Sequence, residues 1–260
     1  MHSIIYRIHS RLNRYYSKYL FRNKSRVFQC GEVSLKYLYV PRRGSRTLIT
    51  VFSGMNPTRA SYSYINQLND TSHNRLYILD DFGDEILGCF YLGTNEQFQV
   101  EHAVRCLLAE LGAKHRYEKY IFCGSSKGGY AALNFGIEYP DASIVCAAPQ
   151  YRLGFYLTSR KSPQLLHVIA GPQPSPEFLN TLDQRLCKKL ELATRTFSGR
   201  IYLHYSEKEH TYSEHVQMLL QDLKQFHFSY ETDRKDYPLH DQVALYFPPY
   251  LRKTLSNITE

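Results

Sequence analysis

From Val33 onward the chain alternates short apolar runs with longer stretches of helical period. Val33 to Val40 and Thr47 to Phe52 read as strands around a turn at Arg42-Arg43-Gly44. Arg75 to Asp80 reads as the next strand, and the loop Asp81-Phe82-Gly83-Asp84 follows it. Over Asn95 to Leu111, Phe98, Val104, Leu107, Leu108 and Leu111 return on one side, the spacing of an amphipathic helix. Lys119 to Cys123 is short and apolar, as a strand buried on both faces requires. Tyr130, Leu133, Phe135 and Ile137 then fit a helix that stops at Pro140. Ser143 to Ala148, Ile201 to Tyr205 and Phe226 to Glu231 read as further strands, with a helix from about Thr211 to Leu223 before the last. Thr211-Tyr212-Ser213-Glu214 has the capping-box spacing that starts such a helix. Strands alternating with helices predict an α/β fold: a mostly parallel sheet with helices on both faces.

Two stretches depart from this rhythm. Between residues 149 and 199 lie Pro163, Pro172, Pro174 and Pro176, then a helix-like run from Pro176 to Leu192. That is more chain than a crossover needs, and residues 150–198 read as a cap insertion. Residues 1–26 carry seven bases and no acid. Arg7, Arg11, Arg14, Lys18 and Arg22 fall on one helical stripe, and Ile5, Ile8, Leu12, Tyr15 and Tyr19 on another. The pattern predicts a basic amphipathic helix over 1–28, ahead of a catalytic domain over 29–260. Such a helix either lies on an anionic membrane surface or docks on its own domain.

The chain has 260 residues, 43% of them hydrophobic, which suits one large domain. No apolar run approaches the roughly 18 residues of a membrane span, and Arg7, Arg11 and Arg14 interrupt any signal-peptide core. The six cysteines are scattered without a C-x-x-C pair, so reduced thiols are expected rather than disulfides or a metal site. The net charge of +8 favours an anionic partner. Nucleic acid is not expected, because no zinc-finger spacing or aromatic RNA-binding strand is present.

The densest chemistry lies in Gly124-Ser125-Ser126-Lys127-Gly128-Gly129, between the predicted strand and helix. Gly124-x-Ser126-x-Gly128 is the spacing of a nucleophile elbow, in which a tight turn projects the serine hydroxyl. The plainer reading is a Gly/Ser-rich turn. A phosphate loop fits poorly, since no Gly-Lys-Ser/Thr ending follows. A serine nucleophile needs a base, usually histidine, and a carboxylate that holds the imidazole tautomer. His240 follows the last predicted strand, where a base reaches the carboxyl edge of the sheet. Glu209, with Glu207 as runner-up, follows the strand ending near Tyr205; Asp241 adjoins His240 too closely to orient the same ring. The backbone N–H of Lys127 is one candidate oxyanion donor, and that of Gly54 or Met55, in the loop after Phe52, is the other. The Lys127 ammonium is a candidate for attracting an anionic substrate.

With its elbow at Gly124 to Gly129, the strand-loop Tyr205 to Thr211, and His240, the chain resembles the α/β-hydrolase superfamily over residues 30–256. More narrowly, it resembles bacterial capsule polysaccharide O-acetyltransferases of the meningococcal serogroup A type, and the acetyltransferase component of accessory secretion systems. A glutamate at 209 departs from the aspartate of many relatives. The resemblance implies an α/β-hydrolase-like fold and a ping-pong reaction: Ser126 takes an acetyl group from acetyl-CoA and passes it to a polysaccharide hydroxyl. It implies no permanently bound cofactor. The basic charge balance favours an anionic polysaccharide acceptor, and the basic N-terminal stretch fits work in the cytoplasm, at the inner membrane face. The residues alone also admit an esterase or deacetylase using water, and a non-catalytic scaffold.

Overall fold

The computed structural model describes residues 24–56, 60–83, 87–159 and 162–259. Among these residues, eight strands form one sheet: Ser25–Cys30 (β1), Val33–Val40 (β2), Thr47–Phe52 (β3), Asn74–Ile78 (β4), Lys119–Ser125 (β5), Ser143–Ala147 (β6), Arg200–Ser206 (β7) and Tyr230–Lys235 (β8). Their order is β1-β2-β4-β3-β5-β6-β7-β8. β2 runs antiparallel to both neighbours, and β3 to β8 pair in parallel. The helices are Gln99–His115 (α1), Lys127–Gly136 (α2), Leu153–Ser159 (α3), Pro163–Ala170 (α4), Pro176–Ala193 (α5), Gln217–Gln225 (α6) and Val243–Thr259 (α7).

The central strands read as unbroken apolar runs because both of their faces are buried. Leu48 and Phe52 of β3, Phe122 of β5, and Ile144 and Cys146 of β6 enter one core with α1, α2, α5 and α6. Their neighbours Ile49, Val51, Ile121, Cys123, Val145 and Ala147 point the other way, onto Ile65, Leu68 and the Val243, Phe247, Leu251 stripe of α7. Each such side chain contributes about 1.5–3 kcal/mol on burial. Phe52 stacks on both Phe122 and Phe135, so truncation to alanine there costs about 3–5 kcal/mol.

The α/β prediction holds, with local corrections. The helix expected over 1–28 does not reach its predicted end: Ser25 to Cys30 is a strand, paired from Ser25 with Leu38 to Cys30 with Val33. Arg26, counted with the N-terminal bases, therefore sits in β1, and residues 1–23 lie outside the described residues. The strand expected from Phe226 begins at Tyr230, because α6 runs to Gln225 and Phe226 and Phe228 fold back under its end. The Phe226 and Phe228 amides close on the Asp222 and Leu223 carbonyls, and His227 turns the chain at φ 59°. Asn95 and Glu96 also have positive φ, so the helix expected from Asn95 starts at Gln99. Residues 150–198 hold the predicted Pro176 helix, as α5, preceded by α3 and α4.

Candidate active site

β5 ends at Ser125, α2 begins at Lys127, and Ser126 alone makes the turn, at φ 54° and ψ −121°. A non-glycine residue held there stores about 1–3 kcal/mol of strain. The surroundings enforce it. The Ser126 N–H donates to the Ala147 carbonyl of β6 at 2.8 Å, and the Ser126 carbonyl accepts the first helical bond from Tyr130 at 2.9 Å. A Cβ on Gly124 would meet the Gly128 carbonyl, and one on Gly128 would meet the Phe52 carbonyl of β3. The two glycines let strand, helix and neighbouring strand close around the serine.

His240 opens a short 3-10 turn after the extended Leu239. Its Nε2 lies 2.9 Å from Ser126 Oγ and its Nδ1 2.8 Å from Glu209 Oε2. Glu209 is 3% exposed, so its carboxylate acts in a desolvated setting where a charge partner counts for more than in water. Thr211 Oγ1 donates to the same Oε2 at 3.1 Å and lies 2.9 Å from His240 Nδ1. With the Nδ1 proton facing Glu209, Nε2 is free to accept the Ser126 proton. The structure brings Ser126, His240 and Glu209 into one hydrogen-bonded series. It does not bring Glu207, which points outward to Arg234 at 3.3 Å.

Three other expectations change. Thr211 has no capping hydrogen bond: its hydroxyl serves Glu209 and His240, and the helix starts with a π-type turn over Tyr212–Val216. The Lys127 ammonium does not face substrate. It is 1% exposed, 3.0 Å from Asp80 Oδ2, and donates to the Leu87 carbonyl at 2.7 Å. α2 points this side chain under the elbow, where Asp80 also accepts the N–H groups of Cys89 and Tyr91. The Lys127 backbone N–H stays suited to an oxyanion, since the first amides of a helix lack intrahelical acceptors. The Gly54 N–H is taken by Ser63 Oγ at 3.2 Å, which leaves Met55 as the second candidate donor.

Sequence reading missed Gln150. Its Nε2 donates to Ser126 Oγ at 2.9 Å, while its buried Oε1 has no hydrogen-bond partner among the described residues. Ser126 Oγ thus accepts from Gln150 and can donate to His240. The available signal was position: Gln150 follows β6 through Ala148 (φ 40°) and Pro149, at the same carboxyl edge as the elbow.

A mostly parallel sheet with a serine elbow at its middle, and an acid and a histidine delivered from later strand ends, is an α/β-hydrolase-like fold. Among solved structures, the chain is similar to the capsule O-acetyltransferase of Neisseria meningitidis serogroup A, as a mutant in complex with CoA. The two share 21% identity with a TM-score of 0.72, over 94% of this chain and 99% of that one. It is also similar to FphF, a fluorophosphonate-binding serine hydrolase of Staphylococcus aureus (10%, TM-score 0.65, 91% and 97% covered), and to an S-formylglutathione hydrolase of Agrobacterium tumefaciens (13%, 0.63, 89% and 92%). No protein-family model and no curated protein sequence matches the chain. Among the described residues, no helix is long and apolar enough to cross a membrane.

Proposed function

We propose that this chain is a serine-nucleophile O-acetyltransferase that moves an acetyl group from acetyl-CoA to a hydroxyl of a bacterial, capsule-type polysaccharide. The observation that carries the reading is the Ser126–His240–Glu209 series at a strained elbow. The donor and acceptor classes are supported by the likeness to a capsule O-acetyltransferase in complex with CoA. His240 Nε2 takes the Ser126 proton as Oγ attacks the thioester carbonyl, and Glu209 stabilises the imidazolium. The N–H groups of Lys127 and Met55 hold the oxyanion. Collapse of the intermediate expels the CoA thiolate, which takes the proton from His240. The acceptor hydroxyl then gives its proton to His240 and attacks the acetyl-serine ester, and His240 returns the proton to the departing Ser126 Oγ.

The net charge of +8 suits an anionic acceptor and the phosphates of CoA. The helices of residues 150–198 serve as the cap, and the basic stretch 1–26 supplies a contact to an anionic membrane surface. Hydrolysis is the second reading, favoured by the two hydrolases of the same fold. Water in place of the sugar makes the same relay an esterase. Intact mass after brief exposure to acetyl-CoA tests the proposal. One acetyl gained, absent in Ser126→Ala and discharged faster by added capsule polysaccharide, supports transfer. Discharge that no polysaccharide accelerates supports hydrolysis, and equal gain in Ser126→Ala rules out both.

A further inference from the structure

Cys30 ends β1 beside the turn at Gly31 (φ 58°), while His102 and Cys106 sit one turn apart on α1. No spacing in the chain links Cys30 to the helical pair, yet α1 packs across β1 and brings all three together. One ligand atom from each, two sulfurs and one imidazole nitrogen, lie within 4.8 Å of one another. His102 Nε2 is 3.5 Å from Cys106 Sγ. A tetrahedral zinc ion, with Zn–S of about 2.3 Å and Zn–N of about 2.05 Å, sets sulfur to nitrogen at about 3.6 Å and sulfur to sulfur at about 3.8 Å. The helical pair therefore already has the ligand spacing, and closing the set around an ion needs a side-chain movement of at most about 1 Å.

We propose that Cys30, His102 and Cys106 bind one soft divalent cation of the Zn(II) class, with its fourth position open to water. Two thiolates and an imidazole select zinc or cadmium over magnesium or calcium, which take oxygen ligands. The site is reachable, because both thiols are half-buried and His102 is exposed. Of the other cysteines, Cys89, Cys123 and Cys146 are buried and do not join the cluster. β1 is the sheet edge, separated from β5 by β2, β4 and β3, so the ion is not part of the Ser126 site. Bound there, it clamps the edge strand to α1, and binding to the folded state raises stability by mass action.

The test uses the full chain, reduced with a phosphine and stripped of metal, with Co(II) as probe. One equivalent should bind with a thiolate-to-cobalt charge-transfer band, be displaced by Zn(II), and raise the thermal midpoint. Cys30→Ser and Cys106→Ser should each abolish the band, and His102→Ala should weaken binding at least about tenfold. Cys187→Ser should keep it. His240→Ala should keep it too, which separates this site from Glu209, His210 and His240, a second cluster with oxygen and nitrogen donors only. Wild-type alkylation needs no variant: Zn(II) should slow iodoacetamide at Cys30 and Cys106 at least tenfold, and leave Cys187 unaffected. The proposal is overturned by no charge-transfer band, by a band that survives Cys30→Ser, by equal alkylation with and without Zn(II), or by a Cys30–Cys106 disulfide that persists under reduction.

Discussion

Replacing Glu209 by glutamine removes one charge from the site and keeps its shape. The wild-type carboxylate oxygen is 2.8 Å from His240 Nδ1. When His240 is protonated, the pair attracts by about 6 kcal/mol at an effective dielectric of about 20. A neutral amide forfeits most of that. It can also donate to Nδ1 and place the ring proton on Nε2, the nitrogen that must accept from Ser126. Thr211 Oγ1 can still accept an Nδ1 proton, recovering about 1 kcal/mol. The net loss of about 5 kcal/mol corresponds to a rate reduced by about 10³ to 10⁴. Fluorophosphonate labelling of Ser126 reads this without assuming donor or acceptor, and acetyl-enzyme formation followed by mass repeats it with the proposed substrate. Glu207→Gln should stay within about twofold in both, since that side chain faces Arg234. Labelling of Glu209→Gln within tenfold of wild type, or of Glu207→Gln as slow as Glu209→Gln, refutes the assignment of the acid.

Gln150→Leu keeps side-chain volume and removes the donor to Ser126 Oγ; acylation should slow about tenfold, the worth of one hydrogen bond, with the thermal midpoint little changed. Lys127→Met leaves the Asp80 carboxylate buried without its cation, and urea denaturation should show a loss of about 3–5 kcal/mol. Glu101 gives the acid sensitivity. Burial alone would raise its pKa, but Lys189 and Arg185, with bonds from Arg185 and Asn134, hold it down at about 2. A folded pKa below the unfolded value stabilises above about pH 4.5 and fades as pH falls towards 2. Glu101→Gln should therefore flatten the stability profile between those limits, a difference on the order of 3 kcal/mol, measured by denaturant midpoints at a series of pH values.

The elbow was legible because its constraints are local: Gly124, Ser126 and Gly128 are two apart, and both glycines are needed where backbone meets backbone. His240 and Glu209 were legible by order along the chain, since strand ends collect on one edge of a parallel sheet. Glu209 over Glu207 was not, because the choice depends on which side chain the turn after β7 sends inward. Gln150 carried no spacing rule. α7 escaped because Pro248 and Pro249 interrupt its pattern, although Val243, Phe247, Leu251 and Leu255 keep an unbroken buried stripe. β1 escaped because an edge strand half in water shows little alternation: only Ser25, Phe28 and Cys30 are shielded.

Lys127 shows why an isolated charge beside a candidate nucleophile misleads. In sequence it is a cation next to a serine, and substrate attraction is the ready inference. In the fold, the residue after the elbow starts a helix whose side chain points back below the turn, so its ammonium meets Asp80. Asp80 in turn accepts the Cys89 and Tyr91 amides, and the Tyr91 hydroxyl reaches the Ile78 carbonyl and the Ser53 amide at the end of β3. One buried network thus links the first residue of α2 to the loop that carries Met55. The lysine supports the loops that carry the proposed oxyanion donors, Lys127 and Met55, and its own ammonium is spent on Asp80 rather than offered to a substrate.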